Sequence, residues 1–133
     1  MTRDPKELAL AYLEAVGKQQ YDKVEEMLAP DLRFRGPVTS RTSAADFLGA
    51  LKRLAAIHVR NDLKRVFVDG DEVCVIYDFV TDTEAGALPA VEWLRLDGGR
   101  ISSIDLYYDR LPWQTVMTAI AERGARPGAQ PVA

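Results

Sequence analysis

Residues 88–109, LPAVEWLRLDGGRISSIDLYYD, restrict the possible folds more than any other stretch of this sequence. Two apolar, aromatic-rich runs flank Asp97-Gly98-Gly99, a turn signal that joins two antiparallel strands. The register of this hairpin decides what Glu92, in the middle of the first arm, faces. A two-residue Gly98-Gly99 loop would pair Asp97 with Arg100 and set Glu92 against Asp105, and directly opposed like charges are unfavourable. A three-residue loop with Gly99 left-handed pairs Leu96 with Arg100 and Glu92 with Ile104, and this is the expected register. Glu92 then shares a face with Ala90, Leu94, Ile104, Leu106 and Tyr108. The other face carries Val91, Trp93, Arg95, Ile101, Ser103, Asp105 and Tyr107. Both faces are substantially apolar, so both need cover.

The preceding chain supplies cover for one of them. Residues 5–16 read as a helix, with Pro5 in its first turn and Leu8, Tyr12, Ala15 and Val16 on one face. Residues 22–28 read as a second, short helix with Asp22 as N-cap and Pro30 beyond its end. The alternation Leu32-Arg33-Phe34-Arg35 suggests a short strand, broken by Gly36-Pro37. A third helix begins at the capping-box-like pair Ser43 and Asp46 and continues through Phe47, Leu48, Leu51, Leu54 and Ala55. His58 falls at helical spacing from Leu51 and Leu54 and extends that face. Residues 61–68 and 72–82 read as strands around Asp69-Gly70-Asp71. Pro112 opens a last helix that ends at Gly124. Residues 125–133, rich in Ala, Pro and Gly, are expected to be a disordered tail outside a single domain of residues 1–124.

The order helix, helix, strand, helix, then four strands predicts an α+β fold. It is a cone-like curved antiparallel sheet with three N-terminal helices on its concave face and a short C-terminal helix. At 133 residues the chain is one domain. A net charge of −3 without a basic stripe argues against nucleic acid as partner. One Cys (Cys74) and one His exclude an internal disulfide and a zinc-type ligand cluster. No run is long and apolar enough to span a membrane, and the charged, amphipathic N-terminus does not read as a signal peptide, so a cytoplasmic location is expected. The uncovered hairpin face predicts a homodimer.

The candidate chemistry lies in a few side chains. A carboxyl on an apolar face is desolvated, which favours its neutral form and suits Glu92 to hydrogen-bond donation or general acid catalysis. Asp78 is a second candidate, on whichever face of its strand Cys74, Ile76 and Val80 occupy; alternation leaves that choice open. His58 could be a general base, and Tyr12 could donate a phenol hydrogen bond. Asp109 could act in catalysis or, the plainer role, cap the last helix. Phe34, Leu94, Ile104 and Tyr108 would line a ligand pocket. The sequence has no Gly-rich phosphate loop, nucleophile elbow or metal-ligand spacing, so any chemistry is expected to be cofactor-free acid–base work on a small apolar molecule.

The segment YDKVEEMLAPDLRFRGP, the capped third helix and the hairpin VEWLRLDGGRISSIDLYYD, in that order, resemble the nuclear-transport-factor-like superfamily. It includes SnoaL-like polyketide cyclases, ketosteroid isomerases and limonene epoxide hydrolase. The resemblance covers about residues 6–112, with Gln19-Gln20 in place of the usual Gly-Asp. It implies a pocket between helices and sheet, and often dimers through the sheet. It matches Tyr12 to the isomerases' oxyanion-binding tyrosine and Glu92 to their protonated aspartate, and places Tyr77 and Phe79 in the pocket. Gly36 stands where the isomerases' proton-shuttling aspartate belongs. Asp109 matches the catalytic aspartate ending the final strand of epoxide hydrolases, whose Arg-x-Asp pair has no clean match beyond Asp78. The resemblance implies an isomerase, cyclase or hydrolase acting on an apolar carbonyl- or epoxide-bearing compound, or a non-catalytic binding or dimerisation module of the same fold.

Overall fold

A computed structural model describes residues 4–124. The elements are α1 (Pro5–Gly17), α2 (Tyr21–Met27), β1 (Leu28–Arg35), β2 (Ser40–Arg41), α3 (Ala44–Leu54), β3 (His58–Asp69), β4 (Glu72–Thr81), β5 (Ala87–Asp97), β6 (Arg100–Tyr108) and α4 (Arg110–Gly124). The six strands form one curved sheet in the order β2-β1-β6-β5-β4-β3. All pairs are antiparallel except β1 with β6, which is parallel. α1 packs on β3 and β4, α2 on β6, and α3 on β1, so the helices lie against one face. This is the α+β architecture expected from the order of elements.

Local chemistry explains the helix starts. Asp4 caps α1 by accepting from the Glu7 amide, and Ser43 caps α3 by accepting from the Asp46 amide at 3.1 Å. α2 differs from expectation: Gln20 holds the N-cap position and Asp22 sits within the first turn. The strand after it starts at Leu28 and runs through Pro30, which is tolerated because β1 is only irregularly paired with β6 between Leu28 and Arg33. His58 does not continue α3. That helix ends at Leu54, and His58 opens β3 opposite Thr81. The expected helical spacing was real, but pairing with β4 outweighs one more turn of a helix that has already buried Phe47 and Leu48.

The hairpin is closed by Gly98 and Gly99 alone, both at positive φ (61° and 80°), so Asp97 pairs with Arg100. The expected three-residue loop is therefore wrong. Glu92 nevertheless avoids Asp105. One extra residue, Ser102, is inserted in β6 between the pairs Arg95↔Ser103 and Leu96↔Ile101, and its hydroxyl donates to the Arg95 carbonyl. This bulge sets Glu92 opposite Leu106 and Asp105 opposite Trp93. Leu106 is two residues from the expected partner Ile104, so Glu92 keeps its expected face. The bulge also turns Ile101 inward, where it is fully buried, whereas the unbroken alternation had placed it outside.

The inner face carries the core: Val73, Val75, Leu94, Ile101 and Ile104 are fully buried under Leu8, Tyr12, Val24 and Ile120. Each such aliphatic side chain contributes about 1.5–3 kcal/mol by leaving water. The outer face is a mixed surface. Arg95 lies over the Trp93 ring at 4.0 Å, and Trp93 donates to Glu72. Phe67 and Tyr107 are exposed there. The expectation of a disordered tail falls outside the described residues.

Candidate functional site

Three elements bring three acidic groups together. On α1, Tyr12 lies one turn from both Leu8 and Val16 and shares their buried face. On β4, alternation buries Val73, Val75, Tyr77 and Phe79. On β5 it buries Ala90, Glu92 and Leu94. Glu92 pairs with Val75 and Ala90 with Tyr77, so Tyr77 is the diagonal neighbour of Glu92 on the same face. Tyr77 donates to Glu92 Oε2 at 2.5 Å, and Tyr12 donates to Oε1 at 3.1 Å.

No arginine, lysine or histidine pairs with Glu92 among the described residues; its polar partners are the two phenols. Burial raises its pKa above the ordinary carboxylate value, and the two tyrosine hydrogen bonds oppose that rise without cancelling it. Both tyrosines are pushed well above the usual phenol value, first by burial and then by the neighbouring carboxylate. An ionised Glu92 occupies both hydroxyls as donors. A neutral Glu92 has an O–H of its own, and donating it to one tyrosine oxygen frees that tyrosine's hydroxyl for another acceptor.

That acceptor can come from an adjoining cavity of about 160 Å3, lined by Tyr12, Tyr77 and Glu92 at its polar end. Its walls are otherwise largely apolar: Phe34 and Phe47, 4.8 Å apart, with Leu51 and Leu54 on one side, and Phe79, Tyr108 and Trp113 on the other. Trp113 of α4 meets Tyr108 at 4.9 Å and Phe79 at 5.6 Å and so closes the aromatic wall. Arg41 and Arg53 also line the cavity. By size, an apolar cavity of about 150 Å3 holds benzene, so this one suits a compact molecule.

The expected site residues separate into two groups. Glu92, Tyr12, Tyr77, Phe34 and Tyr108 line the cavity. Leu94 and Ile104, expected as pocket wall, are fully buried behind it. Asp78 faces the outer side of the sheet, where Lys64 Nζ lies 2.9 Å from its Oδ1. Burial of Val75, Tyr77 and Phe79 takes the inner face of β4 and leaves Asp78 the other, so it is not placed to act in the cavity. Asp109 accepts from the Leu111 amide at 3.0 Å and caps α4. His58 is buried away from the cavity lining, stacked on Phe79 at 3.9 Å with Nε2 2.8 Å from Asn61 Oδ1. Burial holds it below the ordinary imidazole value, against the bonds to Asn61 and the Arg60 backbone. The expected set omits Arg41 and Arg53. Neither has a sequence signal that marks it: Arg53 lies about 100° round α3 from Leu54, at the edge of the apolar face beside Ala50.

The sequence profile of the SnoaL-like domain matches residues 9–104. The chain belongs to the SnoaL-like domain family. No curated protein matches the sequence. Solved structures share the fold at low identity. An NTF2-like protein of unknown function from Cytophaga hutchinsonii superposes with a TM-score of 0.74 at 20% identity, over 86% of this chain and 97% of that one. A Catenulispora acidiphila protein with a ketosteroid isomerase-like fold, solved in complex with trimethylamine, gives 0.71 at 19% identity, over 85% and 91%. An LEH-like epoxide hydrolase from M. tuberculosis gives 0.70 at 17% identity, over 91% and 92%. This SnoaL-like chain therefore shares its architecture with an epoxide hydrolase and with proteins whose chemistry is not given, and likeness of fold does not carry activity, so its own chemistry has to be argued from its residues.

Proposed function

We propose that this SnoaL-like protein binds a compact, largely apolar molecule bearing a carbonyl or epoxide oxygen and acts on it by cofactor-free acid–base catalysis. The observation that carries the reading is Glu92, buried at the polar end of an apolar cavity with two tyrosine hydroxyls as its partners and no cation among the described residues paired to it. A carboxyl with a raised pKa exchanges protons nearer neutral pH than an ordinary one, which is where acid–base catalysis is most effective. The carbonyl is the favoured substrate group. Enolisation needs the tyrosine–Glu92 pair alone, whereas opening an epoxide asks the same pair to hold and activate a water as well, and among the described lining residues Glu92 is the one carboxyl.

For a ketone the reaction would be enolisation. As the ketone enters, one tyrosine turns its hydroxyl from the Glu92 carboxylate to the carbonyl oxygen and donates its proton there, and the carboxylate oxygen it leaves accepts a proton from the adjacent carbon. The C–H electron pair becomes the enol double bond, the carbonyl π pair forms the new O–H bond, and Glu92 returns the proton to the tyrosine oxygen. The test is α-proton exchange of cyclopentanone in D2O, followed by NMR. Exchange should rise above buffer with the wild-type protein and fall back with Glu92→Gln. Saturable binding without accelerated exchange would favour the second reading, a ligand-binding module, which the absence of a second carboxyl from the described lining also supports. We also propose a homodimer through the outer sheet face, supported by exposed Phe67 and Tyr107.

A further inference from the structure

The cavity has a second polar feature, separate from the Glu92 cluster. Arg41, on β2, and Arg53, in the last turn of α3, both line it. Both are only partly buried, whereas Glu92, Tyr12 and Tyr77 lie deep, so the arginines stand toward the solvent side. Arg41 is held at one point: its Nη1 donates to Asp46 Oδ1 at 3.1 Å. Its Nε is shut off from solvent and has no hydrogen-bond partner. Arg53 makes no ion pair or side-chain hydrogen bond among the described residues. A guanidinium presents parallel donors that match a carboxylate, and a buried donor left without an acceptor is costly. Turning the Arg41 fork toward the cavity would give Nε an acceptor if the ligand brought one. Within the described lining, two arginines face a single carboxyl, and that carboxyl is already engaged by two phenols.

We propose that the ligand of this cavity is a small keto acid or a similarly bifunctional molecule, with its carboxylate on Arg41 and Arg53 and its carbonyl toward Glu92. This rests on the reading of the cavity as a carbonyl site and adds the charged end of the substrate. An apolar body between the two ends accounts for the aromatic wall of Phe34, Phe79 and Trp113.

The test is calorimetric titration of the full chain with 3-oxocyclopentane-1-carboxylate and with cyclopentanone. The carboxylate should bind about ten-fold or more tightly than the ketone, the ratio expected from one charge-assisted contact. The double variant Arg41→Gln, Arg53→Gln should abolish that preference and leave cyclopentanone affinity within about two-fold. Equal affinities in the wild type, no binding of the carboxylate, or a preference that survives the double variant would overturn the proposal. If the double variant does not fold, Asp46→Asn serves instead. It keeps the amide that Ser43 caps and releases Arg41 from its competing carboxylate, so carboxylate binding should tighten while ketone binding stays constant. Unchanged carboxylate affinity would count against the proposal. The two readings fail separately. If Glu92→Gln leaves α-proton exchange intact while the carboxylate preference follows the arginines, the acid–base reading falls and this one stands. The reverse pattern sinks only this one.

Discussion

Replacing Glu92 by Gln tests the electrostatics on which the site depends. Glutamine has nearly the same shape. Its carbonyl can accept from one tyrosine and its amide can donate to the oxygen of the other, so both buried hydrogen bonds can be kept. Where Glu92 is neutral, the exchange should cost at most about 1 kcal/mol, the scale of one neutral hydrogen bond. The pH dependence carries the information. Burial raises the pKa of folded Glu92. As pH rises past the ordinary carboxylate value, the unfolded chain releases this proton while the folded protein keeps it. The stability due to this group is therefore full below the unfolded pKa and declines until pH passes the folded pKa. Between those limits the wild type should lose about 1.4 kcal/mol per pH unit relative to the Gln variant. Taking the difference between the two proteins removes the other titrating groups to first order. Urea denaturation followed by circular dichroism, at several values from about pH 4 to about pH 8, measures it. The variant should match the wild type at the acid end and overtake it toward the alkaline end. A variant that falls progressively behind as pH rises would refute the reasoning, because it would mean that the fold lowers the pKa of Glu92 and stabilises it as an anion.

Tyr77→Phe leaves Glu92 Oε2 without its 2.5 Å partner in a buried setting, and thermal or urea unfolding should register a loss of about 1–3 kcal/mol. An unchanged stability would show that the hydrogen bond contributes nothing net. Light scattering at micromolar concentration should give a dimer mass that Phe67→Glu reduces to a monomer, since Phe67 is exposed on the outer face; a monomeric wild type would exclude the assembly.

Short-range chemistry explains what could be read from the chain alone. Ser43 caps α3, Pro5 enters α1 in its first turn, and Gly98-Gly99 turns the hairpin because each effect acts over a few residues and needs no partner from elsewhere. The face of Glu92 was legible for the same reason. Alternation along β5 fixes parity, and parity survived a wrong loop length because the shorter loop and the one-residue bulge at Ser102 each displaced the partner by one residue, two in all. Other features depend on contacts between distant segments. His58 has a helical sequence context, yet it became a strand residue once β4 offered it a partner. β4 alternates between two comparably apolar faces, so burial under α1 and α4, not local pattern, turned Tyr77 toward Glu92 and Asp78 toward Lys64. Arg41 and Arg53 have no sequence pattern that marks a ligand site. Both line the cavity because β2 and α3 fold against it, and the cavity itself is defined only once α1 and α4, from opposite ends of the chain, close on the same sheet face.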